Sequence, residues 1–387
     1  HGNSNAKPKN ATYGFDRVYF NQDTNEDIYN EVMKPLVGTL LQGYNCSVFA
    51  YGSTGSGKTF TMLGGKDSPG LTLLTLRDLY QQLDAAQDDY QSDVIVSYLE
   101  VYNEQISDLL NKSSGSLQIR DAGRGNEAVI VNLSEHRPPN VESLLQLLQA
   151  GNGNRTQHAT DLNAESSRSH AVLQVHISMR DKHTSMETVS RKAKLVMVDL
   201  AGSEKGSATG FTGERFREGT NINKSLLSLA NCISALSGGK ACASFRDSKL
   251  TRILKDSLSG NCRTVMVANV SPADTMKEDT LNTLKYASQA KKITLQASQN
   301  TMTVQTCLSN FTRVVEEMAE KIEHLQDEQK TKDDLLESQK LELVAKDELI
   351  ESQKQELEDK DLELRLLQEK VKAQKLKLMK LYQRKQR

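Results

Sequence analysis

The feature that most constrains the fold is a glycine-rich segment between an apolar strand and a helix-compatible stretch. The segment GSTGSGKT runs from Gly52 to Thr59, after NCSVFAY and before FTMLG. Successive backbone N–H groups of such a loop can surround phosphate oxygens, and the start of the next helix adds donors and its dipole. The alternative, a glycine turn that binds nothing, requires every motif position to match by chance. The residues expected to surround phosphate are Gly52, Ser53, Thr54, Gly55, Ser56 and Gly57.

Polar side chains around this loop predict a metal and phosphate site. Lys58 would supply positive charge for the β- and γ-phosphates, and the Thr59 hydroxyl would bind Mg²⁺. A second apolar strand, in KLVMVDLAGSE, ends in Asp199 and is followed by Gly202. A carboxylate at this place is the expected partner of Mg²⁺ or of its water, and the glycine lets the backbone approach the γ-phosphate. Alone this second signal is weak, because many strands end in Asp.

The rest of the region from about Phe15 to Ile293 alternates β-branched runs with helical patterns and turns. This alternation predicts an α/β fold, with a mixed central sheet flanked by helices on both faces. The strands are apolar enough to lie inside a sheet that is covered on both sides. The clearest ones are Cys46–Gly52, Asp93–Tyr102, His170–Met179, Lys194–Gly202 and Arg263–Val270.

After about Thr312 glycine and proline are absent and Leu, Glu, Lys, Gln and Asp dominate, which predicts a long helix. A heptad frame with Val315 at position a makes nine of ten a positions apolar: Val315, Ile322, Gln329, Leu336, Leu343, Ile350, Leu357, Leu364, Val371 and Leu378. The d positions are apolar only towards the two ends, and five in the middle are Lys332, Gln339, Lys346, Gln353 and Lys360. The pattern favours a coiled-coil stalk and a homodimer. An isolated helix stabilised by its own charges is the alternative.

Composition excludes several classes of function. A formal net charge of −1 gives no overall field that would favour nucleic acid, so we expect no nucleic-acid partner. The five cysteines, which show no metal-like spacing, are expected to be reduced thiols of a cytoplasmic protein. No segment approaches the roughly 20 apolar residues of a membrane span, so no membrane-spanning segment is expected.

A third motif points to a family. NAESSRSH, Asn163 to His170, resembles the switch I motif of kinesins, and DLAGSE, Asp199 to Glu204, resembles their switch II. Together with the phosphate loop, three motifs stand in family order, and about 280 residues share the likeness. Without its companions, SSRSH would be read as a polar turn. The phrases GYNCSVFAYGSTGSGKTFTMLG, FREGTNINKSL and GNCRTVMVANVSP look most like the kinesin-8 branch.

The resemblance implies roles for individual residues. Ser166 and Ser167 would line the γ-phosphate of ATP, and Ser167 would also help to hold Mg²⁺ or the attacking water. Arg168 and Glu204 would form a latch between the two switches. Phe60 would either stack on the base or pack in the core, and His170 is expected to be structural because it has no metal-like partner spacing.

The resemblance also implies an acidic filament, the microtubule, as partner. The helix NINKSLLSLANCISAL resembles the kinesin relay helix, and the segment after it resembles the region that kinesins press against tubulin. Singly, its basic residues would be read as solvated surface; as a group they predict filament contact. They are Lys240, Arg246, Lys249, Arg252 and Lys255.

The predicted organisation is a kinesin-like head over residues 1–293, a neck linker over 294–311 and a stalk over 312–387. Kinesin heads usually begin with a strand that ends in an RxRP element, and no such element precedes Phe15. We therefore expect either an N-terminally trimmed fragment without the first strand or an adenine side that is built differently, which leaves base selectivity and head stability open. The implied function is an ATP-driven microtubule motor of the cytoplasm and cytoskeleton, which would move along microtubules towards the plus end or remodel them. The mitotic spindle is one candidate location. Two rivals are a non-motile microtubule-binding module and a GTPase-type switch, although no NKxD guanine element is seen.

Overall fold

The central sheet of this protein alternates its side chains between two apolar cores. We describe it from a computed structural model, which describes residues 11–122, 127–156, 167–183, 190–204, 214–239, 244–302 and 304–385. Within these residues the sheet has nine strands: Cys46–Tyr51 (β1), Tyr90–Tyr102 (β2), Gln105–Asp108 (β3), Ser116–Ala122 (β4), Glu127–Val131 (β5), His170–Asp181 (β6), Ser190–Asp199 (β7), Arg263–Ala268 (β8) and Thr301–Met302 (β9).

The helices lie between these strands in the chain, as the alternating pattern predicts. They are Asn25–Ile28 (α1), Lys34–Leu41 (α2), Lys58–Leu63 (α3), Leu71–Ala85 (α4), Val141–Thr156 (α5), Glu214–Ser237 (α6), Lys249–Ile253 (α7), Lys255–Ser259 (α8), Lys277–Ala290 (α9) and Val304–Lys385 (α10). Shorter helical turns occur at Tyr29–Met33, Lys112–Ser114, Phe245–Asp247 and Asp274–Met276.

The sheet is mixed, which confirms the predicted fold class. Its strand order is β5-β4-β3-β2-β6-β7-β1-β8, and β9 pairs with the start of β7. Among the described strands, the parallel pairings are those of β1 with its two neighbours, with Ala50 opposite Asp199 of β7 and Cys46 opposite Arg263 of β8. The carboxyl ends of β1 and β7 therefore lie side by side, and both predicted phosphate-site motifs follow these strand ends.

Successive side chains of a strand point to opposite faces, so each face of the sheet has its own core. In β1, Val48 belongs to the core with α2, α4 and α5, whereas Phe49 belongs to the core with α6, α7 and α8. Every residue of β1 is buried, as expected for a strand covered on both faces. In contrast, β8 is the last strand of the described order and is mostly half-buried, so the prediction of complete coverage is wrong for Arg263–Ala268.

The C-terminal helix begins earlier than its composition predicts. It starts at Val304, eight residues before 312. The chain divides into two units, His1–Thr306 and Cys307–Arg387. Within α10 the apolar seam residues are exposed, for example Leu343 and Ile350. The coiled coil and the exact domain limits remain predictions.

No helix among the described residues combines the length and apolar character needed to cross a bilayer. Cys46, Cys232 and Cys262 are buried free thiols, in agreement with the expectation of reduced cysteines.

Candidate nucleotide-binding site

The phosphate loop connects a fully buried strand to the first turn of α3. Gly55 and Gly57 have φ angles of 77° and 96°, in the left-handed region that favours glycine. At Gly52 an added Cβ would overlap the carbonyl oxygen of Asn269, because β8 runs directly beside β1. These glycines therefore allow a turn whose backbone N–H groups can face a bound anion.

Lys58 lies inside this loop. Its residue is 6% exposed, and its Nζ donates a hydrogen bond to the Ser53 carbonyl oxygen at 2.9 Å. Burial lowers the pKa of Lys58, although the charges of Asp199 and Glu204 act in the opposite direction. A buried ammonium group of this kind is suited to bind phosphate oxygens. These oxygens would replace the Ser53 carbonyl oxygen as acceptors, and their negative charge would compensate the positive charge of Lys58.

Asp199 is the point where the two strand ends meet. Its Oδ2 accepts hydrogen bonds from the Thr59 hydroxyl at 2.9 Å and from Arg155 Nη1 at 2.9 Å. Its Oδ1 is buried and has no hydrogen-bond partner among the described residues. Hard oxygen ligands of this kind suit Mg²⁺, so the hydroxyl and the orphaned carboxylate oxygen fit the metal that the motifs imply.

Arg155, which sequence reasoning missed, anchors Asp199 from the opposite side. It lies in the last turn of α5, and its side chain is 5% exposed. Nε and Nη2 donate to Ser169 at 3.2 and 3.1 Å, and Nε lies 3.9 Å from Glu100 Oε1. Burial is the largest single influence on the pKa of Arg155 and would lower it, but the charges of Asp199, Tyr98 and Glu100 and the hydrogen bond to Asp199 together raise the pKa overall.

The switch II segment closes onto the phosphate loop. Glu204 accepts a hydrogen bond from Thr54 N at 2.8 Å and a second one from the Thr54 hydroxyl. Gly202 N donates to the Ser167 carbonyl oxygen at 2.8 Å. Because Ser167 belongs to the switch I motif, switch I also contacts switch II here. At Gly202 a Cβ would overlap Thr54 and the Glu204 carboxylate. The structure thus brings the three predicted loops together at one edge of the sheet.

The structure describes one of two further predicted switch I residues. Ser166 lies outside the described residues, and Arg168 lies within them. Glu204 is bonded to Thr54. The latch between Arg168 and Glu204 remains a prediction.

His170 connects switch II to α6. Its Nδ1 accepts a hydrogen bond from Ala201 N at 3.0 Å, so its proton sits on Nε2, which lies 2.8 Å from the Ser225 hydroxyl. Complete burial, together with the charges of Arg155 and Lys58, lowers the pKa of His170 to about 3. The ring is therefore neutral and structural, as the absence of metal-like spacing predicts.

Phe60 is 52% exposed, so the alternative that it packs in the core is wrong. Its carbonyl oxygen accepts hydrogen bonds from Asn25 Nδ2 at 3.1 Å and from Gly64 N at 2.9 Å. Its ring lies directly after the phosphate loop and is accessible, so stacking on a base remains a prediction.

The predicted filament-binding residues lie on and beside the short helices α7 and α8. Arg246 and Arg252 both bind the carboxylate of Asp121, at 3.3 and 2.6 Å. Lys249 and Lys255 are half-buried. Lys240 lies outside the described residues. Filament contact by this group remains a prediction.

The segment before α10 lies against the head. Asn300 N donates to the Gly43 carbonyl oxygen at 2.8 Å, and the Asn300 carbonyl accepts from Lys192 N at 3.0 Å. The Asn300 side chain also bonds to Asn45 at 3.1 Å and to Asn261 at 2.9 Å. This part of the predicted neck linker is therefore docked along β7, where it continues as β9.

A glycine-rich loop between a buried strand and a helix, with a neighbouring strand that ends in Asp, defines a P-loop nucleotide-binding fold. The family model for the kinesin motor domain matches residues 1–293, and the chain belongs to the kinesin family.

Several kinesins resemble the chain closely. It is 47% identical to mouse kinesin-like protein KIF18B over 84% of this chain and 39% of that protein. It is 48% identical to mouse KIF18A over 79% and 35%, and 43% identical to kinesin-like protein KIN-8B of Arabidopsis thaliana over 82% and 39%. These relatives confirm the resemblance to the kinesin-8 branch. The chain spans about two fifths of their length.

Solved structures agree with this assignment. A fast kinesin superposes with a TM-score of 0.70 and 36% identity, over 75% of this chain and 82% of that chain. A KIF14 dimer with AMP-PNP on a microtubule superposes with a TM-score of 0.67 and 35% identity, over 72% and 80%.

Proposed function

We propose that this chain is the motor part of an ATP-driven microtubule motor, which hydrolyses ATP in a cycle that microtubules stimulate. The observation that carries this proposal is the meeting of three loops, through Thr54 with Glu204, Thr59 with Asp199, and Ser167 with Gly202. Phosphoryl transfer requires little covalent chemistry and depends on positioned donors, a metal and an oriented water. Each of these has a candidate residue at this edge of the sheet.

The first step is the binding of ATP by the phosphate loop. Lys58 exchanges the Ser53 carbonyl for the β- and γ-phosphates, and the backbone N–H groups of Gly55 to Thr59 supply further donors. Thr59 and Asp199 would hold Mg²⁺, with Asp199 acting through water, and Ser167 would complete the set. Mg²⁺ held by these residues would supply charge neutralisation for the phosphate oxygens. Phe60 would stack on the base.

The second step closes the switches. Gly202 has space only for a hydrogen between Thr54 and Glu204, so its backbone could approach the γ-phosphate closely once its N–H exchanges the Ser167 carbonyl oxygen for a phosphate oxygen. As the phosphate enters, Glu204 leaves Thr54 and pairs with Arg168, and Ser166 and Ser167 orient the attacking water. Loss of the phosphate reverses these changes. An order change of this kind amplifies a small difference at the nucleotide.

The third step transmits the change to the filament. Ala201, next to Gly202, is bonded to His170, and His170 is bonded to Ser225 of α6. Because these groups are buried, a shift of switch II moves the middle of α6 near Ser225, in the part of α6 that resembles the relay helix. The basic residues beside it would bind acidic tubulin. A second structural change could involve the docked segment at Asn300, because its release from the head would free the neck linker.

We also propose that the protein is a homodimer through α10. Its apolar seam is an exposed stripe that a second copy would cover. Pairing would be weakest in the middle, because the lysines at d are bonded to glutamates of their own helix. These pairs are Glu328–Lys332 at 3.7 Å, Glu342–Lys346 at 2.9 Å and Glu356–Lys360 at 2.6 Å. The place of action would be the microtubule cytoskeleton of the cytoplasm.

Steady-state phosphate release, with and without microtubules, tests this function. We expect turnover of ATP that rises when microtubules are added, and no turnover by Lys58→Ala. A non-motile module would bind microtubules without turnover. A GTPase-type switch would prefer GTP when the two nucleotides compete. Either result would contradict the proposal.

A further inference from the structure

Asp121 lies among the predicted filament-binding residues and carries the opposite charge. It is near the end of β4, and its side chain is 33% exposed. Oδ1 accepts a hydrogen bond from Arg252 Nη2 at 2.6 Å, and Oδ2 accepts one from Arg246 Nη2 at 3.3 Å. The hydrogen bond from Arg252 and the charges of Arg252, Arg246 and Lys255 lower the pKa of Asp121. Three of the four described basic residues of the group therefore surround one carboxylate.

This carboxylate is separate from the nucleotide site. In the strand order, four steps lead from β4 to β7, the strand that ends in Asp199. At about 4.8 Å per step this is roughly 19 Å. At such a distance direct interaction with Asp199 is largely screened at physiological salt. A change at Asp121 can therefore be studied without disturbing the phosphate loop.

We propose that Asp121 is a built-in counter-charge that limits how tightly this surface holds an acidic filament. The proposal rests on the proposed microtubule binding. An acidic partner must compete with Asp121 for the two arginines, and its own carboxylates are repelled by Asp121. The two ion pairs differ in how easily they open. Arg246 is 74% exposed and bonded at 3.3 Å, so it opens first, whereas Arg252 is 21% exposed and bonded at 2.6 Å.

The magnitude follows from the exposure of the pairs. Exposed ion pairs contribute little, because water and salt screen them. Asp121 would therefore weaken attachment by a small factor and would not prevent it. For a motor this moderates affinity, since a head must leave the filament in every cycle.

Cosedimentation with microtubules in the presence of AMP-PNP, at several salt concentrations, tests the proposal. Asp121→Asn keeps the size of the side chain and one acceptor for Arg252. We expect its Kd for microtubules to fall about two- to fivefold at low salt, with a steeper salt dependence. ATP turnover without microtubules should stay unchanged, which also reports that the head is folded.

Asp88→Asn is a matched control. It makes the same change of net charge at an exposed turn before β2, whereas β4 lies near the far end of that strand. The 13 residues of β2 separate the two sites by about 40 Å. Asp88→Asn should leave the Kd unchanged.

Three results would overturn the proposal. Weaker binding by Asp121→Asn would make Asp121 a positioning residue for Arg252. An unchanged Kd of Asp121→Asn would show that Asp121 does not affect microtubule affinity. Equal tightening by Asp88→Asn would assign the effect to net charge. If the unsubstituted protein bound no microtubules, the proposed function itself would be wrong, which is a separate outcome.

Discussion

Arg155 is the best place to perturb the site without touching the phosphate loop. Its side chain contacts two carboxylates that belong to different strands, Glu100 of β2 and Asp199 of β7, and it also binds Ser169. The Asp199 and Glu100 side chains are only 3% and 7% exposed. In Arg155→Ala both carboxylates lose their described guanidinium partner while they remain buried.

The expected loss of stability is large. Breaking a buried ion pair on one side costs about 3 to 5 kcal/mol, since a charge is left without compensation. Lys58, whose pKa responds to the charge of Asp199, offsets part of this loss. We therefore expect the free energy of unfolding of the head to fall by about 3 kcal/mol, the lower end of that range.

Urea unfolding followed by tyrosine fluorescence measures this change. The chain has no Trp, and ten of its eleven Tyr precede the helical stalk, so the signal reports the head. Arg155→Lys is the control, because it keeps the positive charge but cannot bond to Asp199 and Ser169 together. We expect an intermediate loss for this variant. If Arg155→Ala lowered the free energy of unfolding by less than about 1 kcal/mol, the reasoning would be refuted, because ion pairs on the protein surface contribute this little.

Further predictions concern the switch, a buried ring and the stalk. Glu204→Ala should keep ATP binding in a fluorescent-nucleotide assay but slow stimulated phosphate release by about 100-fold or more, and a normal rate would remove the latch. The folded pKa of His170 is about 3, below its ordinary 6.5, so only the unfolded state gains this proton as the pH falls between them. Protonation of this group in the unfolded state should thus lower the free energy of unfolding by up to about 1.4 kcal/mol for each pH unit. When the free energy of unfolding from urea titrations is plotted against pH, His170→Gln should show a smaller slope than the unsubstituted protein. An identical slope would contradict burial of the neutral ring. Replacing Lys332, Lys346 and Lys360 together by Leu should raise the melting temperature of the stalk in circular dichroism, and an unchanged value would contradict in-register pairing.

Local patterns in the sequence predict the parts of the site that are contiguous in the chain. The strand, the loop and the start of α3 appear as one unit, because the glycines, Lys58 and Thr59 follow one another. Asp199 is predicted for the same reason, since a single strand carries it to the sheet edge. Both segments needed only parallel pairing of β1 and β7 to meet.

Arg155 could not be predicted in this way. It stands in no motif, and its two carboxylate partners, Asp199 and Glu100, lie 44 and 55 positions away in the chain. Its role depends on the pairing of β2 with β6 and of β6 with β7, which brings Glu100, Ser169 and Asp199 to one place. Local patterns also did not predict that β8 is only partly buried or that Phe60 is exposed. Both depend on which elements lie beside them.

The measurement that tests the central claim most directly is the microtubule affinity of the full chain in two nucleotide states. The account holds that the terminal phosphate, sensed through Gly202, shifts α6 by way of His170. It therefore predicts that the Kd for microtubules differs about 5- to 150-fold between AMP-PNP and ADP, the range of typical coupling free energies. Equal Kd values in the two states would contradict the account, even if ATP is hydrolysed.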